Sequence, residues 1–217
     1  MCGRFEGVNE TWAQLQELLG DFAHLPSETA ARYADREIRP TNKYPVLVRS
    51  ARETYEVIEA RWSLIPFFFK EAVKDWKATT FNAKIEEVAT KPSFRGPWKN
   101  KRCLVPVRSF WEWSGAHPTE PKKKQRYCIT RGDNHPMVLA GLWDKASTAD
   151  GEILSFTILT RGPGEDMVNL HNREPVMLDP EQWKPWLDCM PMPELEQPTC
   201  VGLYRPNVEE RVFETAR

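Results

Sequence analysis

The sequence predicts an α+β domain, built on a mostly antiparallel, barrel-like β-sheet with flanking helices. Six segments are rich in β-branched and aromatic residues: Tyr44–Arg49, Thr54–Trp62, Arg102–Val107, Arg126–Arg131, Met137–Leu142 and Ile153–Thr160. Such residues suit a pleated, half-buried surface. The segments follow one another without the regular strand–helix alternation of a parallel sheet.

In order along the chain, Asn9–Leu19 reads as a helix. Trp12, Leu15, Leu18 and Leu19 share one face, Asn9 is placed to cap it and Gly20 to stop it. Between the strand segments, Phe67–Lys77 and Asn82–Thr90 carry the mixture of charged and apolar residues expected of helices, and Gly164–Leu170 reads as a short helical stretch. Asp179-Pro180-Glu181-Gln182 is a helix start, with a capping Asp, Pro at the first helical position and Gln three residues after the cap. That helix carries Trp183, Trp186 and Leu187 toward the core. Loops are expected at Gly115–Lys124 and Ser147–Gly151. The stretch after Met190, with Pro191, Pro193 and Pro198, lacks periodicity and reads as a surface segment. No internal repeat or low-complexity tract is present.

The 217 residues suit one domain, 1–217, large enough to hide roughly 70% of the surface an unfolded chain exposes. The longest apolar run, Leu64 to Phe69, falls far short of the ~18 residues of a membrane span. The start, Met-Cys-Gly-Arg-Phe-Glu, has no secretory pattern. A soluble intracellular protein is expected. Lys plus Arg number 30 against 31 Asp plus Glu, a formal charge of −1. That balance excludes a nonspecific nucleic-acid coat and leaves any nucleic-acid binding to a local patch. The five cysteines, Cys2, Cys103, Cys128, Cys189 and Cys200, are scattered, with no CxxC pair. Neither a zinc knuckle nor a disulfide framework is indicated, and no metal or cofactor is expected.

Chemistry concentrates at four places. A small residue at position 2 normally permits removal of Met1, which leaves Cys2 as an N-terminal aminothiol. Its amine, with a pKa near ~7.7–8, is partly a neutral nucleophile at physiological pH. Its thiol, near ~8.5, is a second nucleophile on the same carbon frame. The amine can condense with an aldehyde, and the thiol can then close a five-membered thiazolidine. The inert alternative is a cysteine in a frayed terminus. In Phe110-Trp111-Glu112-Trp113, a carboxylate flanked by indoles loses hydration and suits general acid–base work. Strand alternation would equally point Glu112 at water. His171, after Gly164–Leu170, sits where a helix C-terminus favours a cation, as a proton donor, an anion contact or a satisfied structural group. Phe81-Asn82-Ala83-Lys84 adds an amide and a cation. Arg4, Arg36, Arg39, Arg61, Lys99, Lys101, Arg102 and Arg126, interleaved with Trp62, Trp98, Trp111 and Trp113, could form a groove with phosphate contacts and stacking faces. Lys122–Lys124 read as a solvated run.

Together these pieces resemble the SRAP family, the SOS-response-associated peptidases or abasic-site processing proteins. The matching motifs are Met1-Cys2-Gly3-Arg4-Phe5, Arg61-Trp62-Ser63-Leu64-Ile65-Pro66, Phe81-Asn82-Ala83-Lys84, Arg102-Cys103-Leu104-Val105-Pro106, Phe110-Trp111-Glu112-Trp113 and His171-Asn172-Arg173-Glu174-Pro175. They occur in family order over residues 1–187, leaving 188–217 as an unmatched C-terminal segment. The resemblance implies a covalent crosslink between Cys2 and abasic sites in single-stranded DNA. Asn82, Glu112 and His171 would complete the catalytic set, and Arg4, Arg39, Trp62, Lys84 and Arg161 would contact DNA. It also implies peptidase activity through self-removal of Met1. The expected protein is a monomer with no cofactor, cytoplasmic in a prokaryote or virus and nuclear in a eukaryote. Lys84 stands where the family usually has Arg, Glu174 where it is usually apolar, and Glu37-Ile38-Arg39-Pro40 where it has Asn-(Val/Ile)-Ala-Pro. The Glu37 change brings a carboxylate to the presumed DNA face.

Two rival readings compete. Class II glutamine amidotransferases also begin Cys-Gly, but usually continue with an apolar residue and another Gly where this chain has Arg4-Phe5. A noncatalytic single-strand DNA-binding module would bind in a salt-sensitive way without Cys2.

Overall fold

A computed structural model describes residues 2–8, 10–19, 27–116, 122–133, 135–198 and 202–208. The strands, in chain order, are β1 (Phe5–Glu6), β2 (Glu37–Ile38), β3 (Lys43–Arg49), β4 (Tyr55–Trp62), β5 (Asn82–Lys84), β6 (Arg102–Val107) and β7 (Ser109–Ala116). They continue with β8 (Lys124–Arg131), β9 (Met137–Thr148), β10 (Gly151–Arg161), β11 (Glu174–Pro175), β12 (Met177–Leu178) and β13 (Tyr204–Val208). The helices are α1 (Glu10–Leu19), α2 (Ser27–Tyr33), α3 (Pro92–Asn100) and α4 (Pro180–Leu187). Among the described residues no helix is long and apolar enough to cross a membrane.

Five strands close a barrel. β3 pairs antiparallel with β4 and β6, β6 with β9, and β9 with β10. β10 completes the ring by running parallel to β4, Phe156 opposite Trp62. A second sheet runs β13-β8-β7-β1-β2, with antiparallel pairing throughout. The α+β, mostly antiparallel, barrel-like architecture expected from the sequence is the one observed.

The barrel strands are apolar on both faces because both faces are covered, and successive side chains point to opposite sides. Val46 and Val48 of β3, Cys103 and Val105 of β6 and Leu139 of β9 join one core cluster, with Cys2, Phe5, Phe110 and Ile129 of the second sheet. Their neighbours Leu47, Leu104, Val138 and Ala140 join another, with Trp12 and Leu15 of α1 and Trp183, Trp186 and Leu187 of α4. The start of α4 follows the sequence reading: Gln182 Oε1 accepts from the Asp179 N–H at 2.9 Å.

Other expectations need correction. Asn82–Thr90 is not a helix, because Asn82–Lys84 is recruited as β5, parallel to β10 with Asn82 opposite Ile158. Long-range pairing overrides local propensity here. Phe67–Lys77 is mostly irregular, with one 3₁₀ turn at Val73–Asp75. Its Phe67 and Val73 N–H groups go to the carboxylates of Asp144 and Asp150. Residues 164–171 form successive turns, Met167 and Val168 N–H both donating to the Gly164 carbonyl. The C-terminal stretch is more than a surface segment: Leu195 and Tyr204 are buried, and β13 pairs with β8. The Ser147–Gly151 loop shrinks to two residues between β9 and β10, while β7 and β8 extend into the Gly115–Lys124 loop. Residues 117–121 of that loop, the proposed cap Asn9 and the stop Gly20 lie outside the described residues.

Candidate active site

β1 places Cys2 between the two sheets. Phe5 sits opposite Phe110 of β7 on one side and Ile38 of β2 on the other, and the Trp111 N–H donates to the Arg4 carbonyl at 3.0 Å. Gly7 allows the close passage that follows, since a Cβ there would overlap the Tyr33 carbonyl. From the barrel side, Asn82 Nδ2 donates to the Cys2 carbonyl at 2.8 Å. Cys2 is thus held from both sheets and is buried, with 1% of its surface exposed. Burial pushes its thiol well above the ordinary range, and the Glu112 carboxylate adds to the effect. The thiol is therefore held neutral.

Glu112 is buried, as is its neighbour Trp111. The water-facing alternative is excluded, because Glu112 shares the face of β7 that turns Phe110 into the core. Burial raises the Glu112 pKa, opposed by His171 and Lys124. Glu112 is thus the electrostatic neighbour of both Cys2 and His171. His171 ends the 164–171 turns, its N–H donating to the Met167 carbonyl at 2.9 Å. The Arg173 N–H and the Arg173 carbonyl both meet His171 Nδ1, at 3.1 and 3.2 Å. Asn82 Oδ1 is buried and accepts no hydrogen bond among the described residues. A buried acceptor without a donor is costly and marks a place for an incoming N–H or O–H.

The residues expected at a DNA surface separate into two groups. Arg4 and Arg39 are accessible, and both reach Glu37. Lys84 is exposed, 3.3 Å from Glu87. Trp62 and Arg161 lie elsewhere. Trp62 is fully buried, packed against Phe5, Phe81 and Phe156, with Nε1 donating to the Phe81 carbonyl at 2.8 Å. It has no face left for a base. Arg161 is buried and donates to Glu174 at 2.9 Å and to the Leu195 carbonyl at 3.1 Å. Glu174, fully buried, also accepts from the Gly164 N–H at 2.8 Å. This pair fastens both ends of the 164–174 segment that carries His171.

Sequence reasoning missed two features. Phe67 and Phe68 are 55% and 45% exposed, on a loop whose Phe67 N–H donates to Asp144 Oδ2 at 2.8 Å. They offer the open aromatic faces that Trp62 lacks. The signal was the apolar run Leu64 to Phe69, longer than one loop needs. Arg173, two residues past His171, makes a two-pronged contact with Glu86 at 2.8 and 2.7 Å.

A family model described as SOS response associated peptidase (SRAP) matches residues 1–212. Abasic site processing protein YobE of Bacillus subtilis is 40% identical over 189 residues, covering 87% of this chain and 82% of that one. Abasic site processing protein YedK of Escherichia coli is 27% identical over 188 residues, covering 86% and 79%. A crystal structure of a protein from Bacteroides thetaiotaomicron superposes with a TM-score of 0.78 at 23% identity, covering 95% of this chain and 91% of that one. That last likeness concerns the fold alone.

Proposed function

The chain belongs to the SRAP family, and on that premise we propose that it is an abasic site processing protein that crosslinks itself, through Cys2 after loss of Met1, to abasic sites in single-stranded DNA. The observation that carries this reading is the placement of Cys2. It is buried between two sheets, held by Asn82, with Glu112 as its electrostatic neighbour and His171 acting in turn on Glu112.

An abasic deoxyribose is mainly a closed hemiacetal, and only its open form offers an aldehyde. Proton transfer by Glu112 and His171 speeds opening, an effect of ~10²–10⁴-fold for a positioned acid or base. A carboxyl whose pKa is raised by burial suits that work. The Cys2 amine attacks the aldehyde carbon and one water leaves, giving a Schiff base. The thiol sulfur then adds to the C=N carbon, its proton goes to nitrogen, and the thiazolidine closes. A neutral thiol fits this order, with the amine reacting first. Asn82 positions the terminus through its amide N–H, and its unpartnered Oδ1 accepts from the terminal amine or a sugar hydroxyl. Arg4, Arg39 and Lys84 contact phosphates, with Phe67 and Phe68 as stacking faces. Trp62 and Arg161 act indirectly, as the packing beneath β1 and β5 and as the fastening of the His171 segment. Self-removal of Met1 is the peptidase step of the same reading. The protein works as a monomer inside the cell.

Intact-mass measurement tests the proposal. After incubation with an abasic single-stranded oligonucleotide, the expected species has the summed mass of des-Met1 protein and DNA, less one water. An unchanged protein mass refutes it.

A further inference from the structure

Three arginines converge on one carboxylate at the edge of the second sheet. Glu37 Oε1 accepts from Arg4 Nη1 at 3.1 Å and from Arg39 Nε at 2.6 Å, and Oε2 accepts from Arg126 Nη2 at 2.8 Å. The sheet builds this convergence. Glu37 and Arg39 are two residues apart and point the same way. β2 lies beside β1, with Glu6 opposite Glu37, and β1 lies beside β7, where Trp113 sits opposite Arg126 of β8. Indoles steady two of the cations. The Arg126 guanidinium lies 4.4 Å from the Trp111 ring centre and 5.5 Å from that of Trp113, and the Arg4 guanidinium lies 5.0 Å from Trp113. Glu37 is only 13% exposed, whereas the Arg4 and Arg39 side chains are 36% and 53% exposed. Burial alone would raise the Glu37 pKa, but Arg39, Arg4 and Arg126 hold it below the ordinary carboxylate range.

A carboxylate and a phosphodiester offer guanidinium groups the same handle: two oxygens sharing one negative charge. Three guanidinium groups share the one Glu37 carboxylate, and Arg4 and Arg39 stay accessible to a second anion. We infer that Arg4, Arg39 and Arg126 form one phosphate-binding site for the DNA backbone, and that Glu37 is its built-in occupant, which an incoming phosphate must displace. The inference rests on the proposed function for the identity of the ligand. It adds Arg126 to the DNA-binding residues and makes Glu37 a determinant of affinity. In the free protein the carboxylate keeps three guanidinium groups pre-arranged and weakens binding of undamaged DNA.

The test is fluorescence anisotropy with a dye-labelled single-stranded oligonucleotide that carries no abasic site, so that only reversible binding is read. Wild type, Glu37→Gln, Arg126→Gln and the double variant are compared at low salt, each with a thermal melt. Glu37→Asn, a smaller amide, is measured alongside with the same expectation. Removing the competitor should tighten binding about tenfold, and Arg126→Gln should cut that gain to less than about threefold, because the released site has lost a cation. Amide variants that melt like wild type but bind no tighter overturn the inference. So does an equal gain with and without Arg126, which would mark a diffuse charge effect. Wild type is assayed in parallel for a covalent adduct with abasic DNA. An adduct without any gain from Glu37→Gln defeats this inference alone, whereas no adduct defeats the functional reading beneath it.

Discussion

Replacing Arg161 with methionine removes the guanidinium that donates to Glu174 at 2.9 Å and to the Leu195 carbonyl at 3.1 Å, while keeping an unbranched side chain of similar length. The Glu174 carboxylate, fully buried, then loses its cationic partner. Breaking a buried pair from one side costs about 3–5 kcal/mol, because an uncompensated charge stays in a poorly solvated place. For a chain of this size each kcal/mol moves the melting temperature by about 2–4 °C, so the variant should melt roughly 6–20 °C lower. Removing the carboxylate as well, in Arg161→Met/Glu174→Leu, should recover most of the loss, since an apolar pair of similar volume leaves no charge stranded. Urea denaturation gives the stabilities, and single-stranded DNA binding at several salt concentrations gives the second readout. The salt dependence should match wild type, because a buried arginine neutralises no phosphate. A normal melting temperature with a salt slope reduced by roughly 0.7, one phosphate contact, would refute the reasoning and return Arg161 to the DNA surface.

Glu112→Gln should slow crosslinking by about 10²–10⁴-fold while leaving DNA binding unchanged; a wild-type rate would remove Glu112 from proton transfer. The same variant has a signature in stability. Burial raises the native Glu112 pKa above its unfolded value, so the native state binds the proton more tightly, and this group's contribution grows as pH falls through the native pKa toward the unfolded one. Glu112→Gln should therefore melt higher than wild type at neutral pH, with the difference shrinking as pH approaches 4; a constant difference across that range would contradict it. Lys84, exposed and 3.3 Å from Glu87, should lower the salt slope by roughly 0.7 when replaced by Ala, and an unchanged slope would mean that it meets no phosphate.

The barrel was legible because its strands carry β-branched runs that packing on both faces enforces, and α4 because its cap chemistry is local. β5 was not legible: nothing in Asn82-Ala83-Lys84 shows that β10 will pair with it, and its charges imitate a helix. α3 was hidden by Gly96 and Pro97, residues that normally disfavour a helix, in a segment whose Phe94 and Trp98 pack on the core. β13 was hidden by the prolines preceding it. At the site, Cys2 and Glu112 stood out by residue type, but either could have been inert, and only the packing of β1 against β7 and β5 brings them together. Trp62 shows the opposite failure, an indole that composition offered as a stacking face and that the core absorbed. The Arg161–Glu174 pair and the Arg4 and Arg126 contacts of Glu37 join residues distant in sequence, with no local pattern to announce them.

The central claim is that one residue supplies both nucleophiles, amine first and thiol second. Denaturing electrophoresis after incubation with abasic single-stranded DNA tests it directly, using wild type, Cys2→Ser and a form with its terminal amine blocked, each with and without borohydride. Wild type should give an adduct that survives heating without reduction, because ring closure within one residue outpaces attack by water. Cys2→Ser keeps the amine, so it should give an adduct only when borohydride traps the Schiff base, and the blocked form should give none. An unreduced, heat-stable adduct of normal yield from either altered protein would contradict the mechanism.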